Sequence, residues 1–187
     1  MDKSRLIKIS KYLSKHLRHQ PERIAIKLAT GGWVLVDELL AACEKFKFPI
    51  TYDELQKVVS ENDKQRFSFD DTGTRIRANQ GHSVEIDLQL VSQIPPDVLY
   101  HGTGHKSVTS ILEAGLCKMS RHHVHLSVDI ITAKKVGARH GKPVVFVVDT
   151  VKMQEQGFIF YCSDNGVWLV DAEFTLLIFL VLYTSLG

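Results

Sequence analysis

The 187-residue chain has few cysteines, and their spacing excludes the usual cysteine-based frameworks. Cys43, Cys117 and Cys162 are odd in number, far apart and in no C-x-x-C pattern. Such spacing argues against a set of disulfides and against a zinc knuckle. A reducing compartment fits this composition best, and we therefore expect a cytoplasmic protein.

The chain also lacks common nucleotide motifs and long apolar segments. Neither G-x-G-x-x-G nor G-x-x-x-x-G-K-[ST] occurs in its second half. The opening MDKSRLIKIS is charged where a secretory signal would be apolar. The closing FTLLIFLVLYTSLG is shorter than the roughly 20 apolar residues that a membrane helix needs. This closing segment predicts either a buried last strand or an atypical C-terminus that exposes apolar surface. We expect no membrane association.

Positive charge is concentrated at the start of the chain. The net charge is only +2, yet residues 1–30 hold eight Lys and Arg against Asp2 and Glu22. Lys15, Arg18 and two histidines crowd one predicted helix end, where the helix dipole stabilises cations by about 0.3–1 kcal/mol each. That effect accounts for one or two of them, so the cluster indicates an anionic ligand, and the basic end is where a polyanion would bind.

The first 94 residues predict three helices followed by a β-hairpin. Apolar residues at helical spacing form the first helix, which Pro21 ends. Asp37 is the expected N-cap of the second helix, and Thr51 with Glu54 forms a capping box for the third. The segment RFSFDDTGTRIRA has two strand-like runs around a turn at Gly73. This order is typical of a winged-helix module.

Pro95-Pro96 marks the expected domain boundary, because proline continues neither a helix nor a central strand. The second half predicts a helix closed by Gly115, another capped by Asp129, and strands in DVLYHGT, HVHLS, PVVFVVD and GVWLVD. The whole chain is therefore expected to be α+β.

Histidines are the unusual chemical feature of the second half. His123 and His125 lie on one face if their segment is extended, and His101 ends a predicted strand. Zinc would need a third ligand, which His101 can supply, and usually a nearby carboxylate. Polar histidines with ordinary hydrogen bonds and histidines that bind an organic ligand are the alternatives.

Seven motifs resemble one known family in order and spacing: LSKHLRH, DKQRFSF, IRANQGHS, LYHGT, HVHLS, KVGARHG and NGVWL. The chain resembles the RNA 2′-phosphotransferases, the NAD-dependent, tRNA-splicing-type enzymes. The resemblance implies a winged-helix-like RNA-binding lobe over 1–94 and an ADP-ribosyltransferase-like NAD-binding lobe over 95–187. We assign no chemical role to the polar turn at 79–82.

The resemblance also implies the reaction. An RNA 2′-monophosphate, for example on a tRNA, attacks NAD and releases nicotinamide. The second step gives RNA with a free 2′-hydroxyl and ADP-ribose 1″,2″-cyclic phosphate. NAD is thus a co-substrate, no metal is expected, and no protein partner is implied.

Five positions are expected to hold the RNA phosphate. The resemblance makes Arg18, His19, Arg66 and Arg139 catalytic, and Lys64 is a candidate substrate-binding residue. Arginine suits this role because its planar fork engages phosphate oxygens bidentately and does not deprotonate. Taken singly, each arginine would be interpreted as a surface cation.

Four positions are expected to hold NAD. By resemblance, His101, Gly102 and Thr103 approach the adenosine ribose, and the missing Cβ of Gly102 would permit close backbone contact. Ser127 would face the ribose on the nicotinamide side. Val167 lies in the strand where protein-modifying ADP-ribosyltransferases carry a glutamate, which fits a nucleophile that is already anionic.

Two other functions remain open from the sequence. A non-enzymatic winged-helix regulator would bind nucleic acid and leave NAD intact. An ADP-ribosyltransferase that stops after the first step would cap terminal phosphates of nucleic acid.

Overall fold

The computed structural model of the protein describes residues 2–62, 65–171 and 180–183. The chain divides into two compact units, residues 1–89 and 90–187. The described residues form six α-helices and three small antiparallel sheets, an arrangement of mixed α and β structure. No helix within these described ranges is long and apolar enough to cross a membrane.

The first unit packs three helices and one sheet around a single core. Its helices are α1 (Lys3–Arg18), α2 (Val36–Lys45) and α3 (Tyr52–Ser60). Its strands are β1 (Val34–Leu35), β2 (Phe67–Phe69) and β3 (Arg75–Ala78), in the order β1-β3-β2.

The predicted first helix and hairpin are confirmed. Ile9, Leu13 and Leu17 are fully buried on one face of α1, as their spacing predicts. The helix ends at Arg18, and Pro21 opens a 3₁₀ turn. Strands β2 and β3 pair through a turn in which Gly73 has a φ of +69°.

One predicted cap is confirmed and one is wrong. Thr51 and Glu54 form the full capping box of α3. Asp37, however, lies in the first turn of α2, because that helix starts at Val36. The Val36 amide donates to the carbonyl of Thr74 at 2.9 Å, so pairing with the hairpin sets where α2 begins. Asp37 still lies where a negative charge interacts well with the helix dipole.

The second unit contains two three-stranded sheets. Strands β4 (Val98–Gly104), β6 (Pro143–Asp149) and β9 (Leu180–Tyr183) form one sheet in the order β4-β6-β9. The other has the order β5-β8-β7, from β5 (Val124–Leu126), β7 (Phe160–Cys162) and β8 (Trp168–Val170). The helices of this unit are α4 (Val108–Ala114), α5 (Ile130–Gly137) and α6 (Thr150–Glu155).

Most predicted elements of this unit are confirmed. The Asp129 side chain accepts a hydrogen bond from the Thr132 amide at 2.7 Å and so caps α5, and Gly115 follows α4. Part of the apolar C-terminal run forms β9, while the rest of that run lies outside the described residues.

The division of the chain falls before the expected boundary at Pro95-Pro96. The Gln93 amide donates to the Phe160 carbonyl at 2.8 Å, and Ser92 forms a β-bridge with Tyr161. Residues just before the two prolines therefore pair with β7 and group with the second unit.

Candidate functional site

Two of the predicted phosphate ligands contact each other in the first unit. Arg18 is the last residue of α1, and its Nη2 donates to the Arg66 carbonyl at 3.3 Å. The Arg18 guanidinium also lies 5.9 Å from the ring centroid of Phe67, the first residue of β2. The helix end and the start of the hairpin thus place the Arg18 guanidinium against the backbone of Arg66.

Two buried polar residues orient the Arg66 guanidinium. Its Nη1 donates to Oδ1 of Asn62 at 3.1 Å and lies 3.5 Å from Oγ of Ser10. Asn62 Nδ2 in turn donates to Ser10 Oγ at 3.2 Å. Both partners are 7% exposed, so they are fixed by the surrounding core. The network holds the Arg66 cation in a fixed geometry, as electrostatic catalysis requires.

The backbone of Arg66 is held by a residue from the turn after β3. The Asn79 amide donates to the Arg66 carbonyl at 2.9 Å, and its Nδ2 donates to the Gln65 carbonyl at 2.7 Å. Asn79 is buried, and it belongs to the 79–82 turn, for which no chemical role is predicted. The structure gives Asn79 a positioning role.

The segment after this turn closes the end of α1. The amides of Ser83 and Val84 donate to the Arg18 carbonyl at 2.9 and 3.3 Å. His19 Nδ1 shares a hydrogen bond with Ser83 Oγ at 2.8 Å. Because backbone amides satisfy this carbonyl, the basic side chains at the helix end are not needed to do so.

The other two predicted phosphate ligands are Arg139 and Lys64. Arg139 is an exposed residue of the second unit, in the 3₁₀ turn Ala138–His140 that follows α5. Lys64 lies outside the described residues.

Glycines let α5 pack directly on β4. A Cβ on Gly102 would lie 1.8 Å from the carbonyl oxygen of Ala133, and one on Gly104 would lie 2.3 Å from that of His140. A Cβ on Gly137 would lie 2.6 Å from the Thr103 carbonyl oxygen. The missing Cβ of Gly102 thus permits helix packing, and the contact of this glycine to NAD stays a prediction. The same packing fixes the turn that carries Arg139 against the end of β4.

The predicted NAD ligands His101 and Ser127 come together where the two sheets meet. Tyr100 and Ser127 exchange two backbone hydrogen bonds of 2.8 Å. His101 Nδ1 lies 3.1 Å from the carbonyl oxygen of His125. A carbonyl only accepts, so Nδ1 carries the proton and Nε2 of the neutral ring is an acceptor. Thr103, further along β4, is buried.

Burial sets the charge of the site histidine. Desolvation lowers the pKa of His101, against a smaller opposite effect of its hydrogen bond to His125. The ring is therefore neutral near pH 7, with Nε2 able to accept a hydrogen bond from a ligand hydroxyl.

The zinc alternative gains no support from the geometry. His123 packs edge-on against Tyr161 with 5.6 Å between ring centroids. Within residues 2–62, 65–171 and 180–183, no group of three or more His, Cys, Asp and Glu is arranged to hold a metal ion.

A cleft elsewhere in the second unit contains none of the predicted site residues. It lies beside the ends of β4 and β6 and beside α6, and is lined by Asp97, Val98, Val147, Asp149, Val151, Lys152 and Glu155. Carboxylates outnumber cations in this lining, so the cleft is unsuited to a phosphate or a polyanion.

Sequence reasoning did not find the residues that position the site. Ser10, Asn62 and Ser83 act through the side chains of Arg66 and His19, and His125 acts through a backbone carbonyl. Ser83 and His125 lie within the motifs IRANQGHS and HVHLS, whereas Ser10 and Asn62 lie in none of the seven motifs. For Ser10 and Asn62, the signal is burial of a polar side chain, which appears only in the folded structure.

Comparisons with known proteins agree with the motifs. A family model described as RNA 2'-phosphotransferase, Tpt1 / KptA family, matches residues 4–172. A protein named "Probable RNA 2'-phosphotransferase" from Nostoc punctiforme is 72% identical over 91% of this chain and 94% of its own length. Proteins of the same name from Herpetosiphon aurantiacus and Streptomyces coelicolor are 56% and 53% identical, over 92% and 91% of this chain and 94% and 93% of theirs.

Proposed function

The chain belongs to the RNA 2′-phosphotransferase, Tpt1 / KptA family, and on this premise we propose that it is a NAD-dependent RNA 2′-phosphotransferase. It moves an internal RNA 2′-monophosphate, for example on a tRNA, to NAD in the cytoplasm. Residues 1–94 act as a winged-helix-like RNA-binding lobe, and residues 95–187 as an ADP-ribosyltransferase-like NAD-binding lobe.

The reaction has two displacements. An oxygen of the 2′-phosphate forms a bond to the anomeric carbon of the nicotinamide ribose, and the glycosidic C–N bond breaks so that nicotinamide leaves. The adjacent 2″-hydroxyl then attacks phosphorus and loses its proton. The bond from phosphorus to the RNA 2′-oxygen breaks, and that oxygen takes up a proton. The products are 2′-hydroxyl RNA, nicotinamide and ADP-ribose 1″,2″-cyclic phosphate.

One observation carries the proposal: the Arg18 guanidinium donates to the backbone carbonyl of Arg66, and the Arg66 guanidinium is oriented by buried polar partners. A phosphomonoester dianion must be held through both displacements, and paired guanidiniums can neutralise it without a proton transfer. Charge increases on the phosphate oxygens in the second displacement, where a preorganised cation is most effective. His19, Lys64 and Arg139 remain predicted members of this phosphate-binding set.

His101 and Ser127 are the proposed contacts to NAD. With its proton on Nδ1, neutral His101 presents Nε2 to accept a hydrogen bond from a ribose hydroxyl. Ser127 is held beside the same strand by its two backbone bonds to Tyr100, so its hydroxyl is available to the other ribose. Gly102 and Thr103, which follow His101 on the same strand, remain predicted contacts to NAD.

Arginine charges replace a metal ion in this proposal. Activity should therefore persist in the presence of EDTA. Loss of turnover in chelator and its recovery with zinc would instead favour a metal ion at the histidines.

The products of two incubations distinguish the possible functions. The protein is mixed with NAD and either an RNA that carries one internal 2′-phosphate or an RNA with a terminal phosphate only. We expect dephosphorylated RNA and nicotinamide from the first mixture. A stable ADP-ribosylated terminal phosphate would favour a capping transferase, and unchanged NAD would favour a non-enzymatic regulator.

A further inference from the structure

One face of the sheet in the first unit is turned away from the core. Val34 pairs with Ile76 at the centre of the sheet, and both are buried. Side chains alternate along strands, so the neighbours of these residues lie on the opposite face. That outer face carries Trp33, Leu35, Ser68, Arg75 and Arg77, which we call the Trp33 face.

Two arginines lie beside the indole on this face. The guanidinium carbons of Arg77 and Arg75 are 4.5 and 5.5 Å from the Trp33 ring centroid, within the range of a cation–π interaction. Arg77 Nη1 also lies 3.5 Å from the Gly31 carbonyl oxygen. These contacts hold the ring and both charges in one array.

The array lies at the surface rather than in the core. Leu35 is 53% exposed, and the Arg75 side chain is 51% exposed, while Trp33 and Arg77 are half-buried. An indole, a leucine and two guanidiniums on one sheet face do nothing for the packing of the core on the other side. They match the two parts of a single-stranded nucleic acid, which offers a flat base to an aromatic ring and a phosphate to an arginine.

We propose that the Trp33 face binds single-stranded RNA that flanks the 2′-phosphate. A base stacks on the indole of Trp33, and backbone phosphates lie at Arg77 and Arg75. Duplex RNA would offer phosphates but no unstacked base to the ring. An acidic protein partner would use the arginines but would not need the indole.

The position of the face fits this substrate segment. Ser68 pairs with Arg77 in the hairpin, and Arg66 lies immediately before the same strand, β2. The face therefore begins two residues from the Arg18 and Arg66 cluster, within one unit. The inference rests on the proposed function only in that the substrate is RNA.

The two arginines should contribute unequally. Asp70 accepts from Arg75 Nε at 2.9 Å and partly neutralises that charge. Arg77 is the closer of the two to the indole. Because the Arg77 guanidinium lies closer to the indole on which the base would stack, we expect Arg77→Gln to weaken RNA binding more than Arg75→Gln.

The test measures binding of a single-stranded oligoadenylate RNA that has no 2′-phosphate. Stacking should quench indole emission, and Trp33→Phe should remove that change, because the other tryptophan, Trp168, is buried in the second unit. Trp33→Leu should weaken binding by about 5- to 150-fold, the range for loss of one stacked base. Lys57→Ala, which removes one exposed positive charge from α3, is the charge-matched control and should bind as the wild type does.

The salt dependence of RNA affinity distinguishes base stacking from contacts between arginine and phosphate. Arg77→Gln should reduce the slope of log affinity against log salt by about 0.7, the value for one phosphate contact to a single strand. Trp33→Leu should lower affinity and leave the slope unchanged. Arg75→Gln alters an exposed side chain, so it tests the face even if Trp33→Leu fails to fold.

Three results would overturn the inference: unchanged indole emission on adding RNA, wild-type affinity in Trp33→Leu, and equal losses in Lys57→Ala and Arg77→Gln. Equal binding of duplex RNA would also contradict it. Failure of the proposed function would look different. RNA binding would still depend on Trp33, while NAD and a 2′-phosphorylated RNA gave no products.

Discussion

Asn62 accepts a hydrogen bond through Oδ1 from Nη1 of Arg66, four residues later, at 3.1 Å. Asn62 is buried, and it also donates to Ser10 on α1. The fixed core of the first unit is thus connected directly to a guanidinium that we propose contacts the transferred phosphate.

The first prediction concerns this connection. Asn62→Ala should slow the second chemical step by up to about 100-fold, because a small misplacement of a charged donor has a large effect on rate. ADP-ribosyl transfer should slow less, since the cation acts chiefly in the second displacement. Single-turnover reactions resolve the two rates. Ser60→Ala, whose hydroxyl contacts only local carbonyls of α3, is the control and should change neither rate. Equal slowing of both steps would contradict a positioning role.

The second prediction removes the Arg66 charge itself. Arg66→Ala should slow transesterification by about 10²–10³, as loss of one preorganised donor does at comparable sites. ADP-ribosylated 2′-phospho-RNA should then accumulate, because only interactions that strengthen in a transition state accelerate its step. End-labelled RNA would show this intermediate as a slower-migrating band. Lys64 is two positions before Arg66 and can substitute for part of the lost Arg66 charge. The double variant Lys64→Ala, Arg66→Ala should therefore show a stronger band of the intermediate. No band in either variant would make Arg66 a ground-state anchor.

The third prediction tests the packing of α5 on β4. Gly102→Ala should destabilise the protein by about 3 kcal/mol or more, since its Cβ would meet the backbone carbonyl of Ala133, which cannot rotate away. Gly157→Ala is the control: Gly157 has a φ of +85° but open space around its Cβ position, so the loss should be about 1–2 kcal/mol. Denaturant unfolding measures both. A wild-type free energy of unfolding in Gly102→Ala would show that this glycine serves another purpose.

The fourth prediction is a pH dependence of stability. Burial lowers the pKa of His16, His101 and His123 below the ordinary value of about 6.5. In the unfolded chain these histidines take up protons at a higher pH, so the unfolded state binds more protons as pH falls. Their contribution to stability is therefore present above about pH 6.5. It is lost as the pH falls toward the lowered pKa values of the folded state.

Thermal unfolding tests the predicted direction of this pH dependence. The melting temperature should fall between about pH 6.5 and about pH 5.5, a window above the ordinary carboxylate pKa values. His16→Gln should reduce the dependence, because it removes one of the three groups. A melting temperature that is constant or rises as the pH is lowered through this window would contradict the assignment.

Local signals predicted much of the fold. The spacing of Ile9, Leu13 and Leu17 identified α1, and the pair Thr51 and Glu54 identified the start of α3. Both signals lie within a few residues of the structure that they specify. The turn at Gly73 is local in the same sense.

Elements that depend on distant partners could not be predicted. Strand β1 has two residues, too few for a periodic pattern, and exists because it pairs with β3. The same pairing moved the start of α2 away from the expected cap at Asp37.

The residues of the candidate site also fall into two groups, those predictable from local sequence and those that depend on distant partners. Motifs predict that Arg18, Arg66 and His101 belong to the site, and their residue types indicate the chemistry. Ser10 is 56 positions from Arg66 along the chain, and only folding brings them together. The packing role of Gly102 could not be predicted, because the helix that packs against it is about thirty residues away in sequence.

The most direct measurement follows the phosphorus atom. An RNA labelled at one internal 2′-phosphate is incubated with the protein and NAD, and the labelled products and nicotinamide are quantified. We predict that the label moves to ADP-ribose 1″,2″-cyclic phosphate with one nicotinamide released per phosphate, and that the RNA regains alkali sensitivity at that position. Label released as inorganic phosphate with NAD intact, or label that stays on RNA while NAD is consumed, would contradict phosphate transfer to NAD.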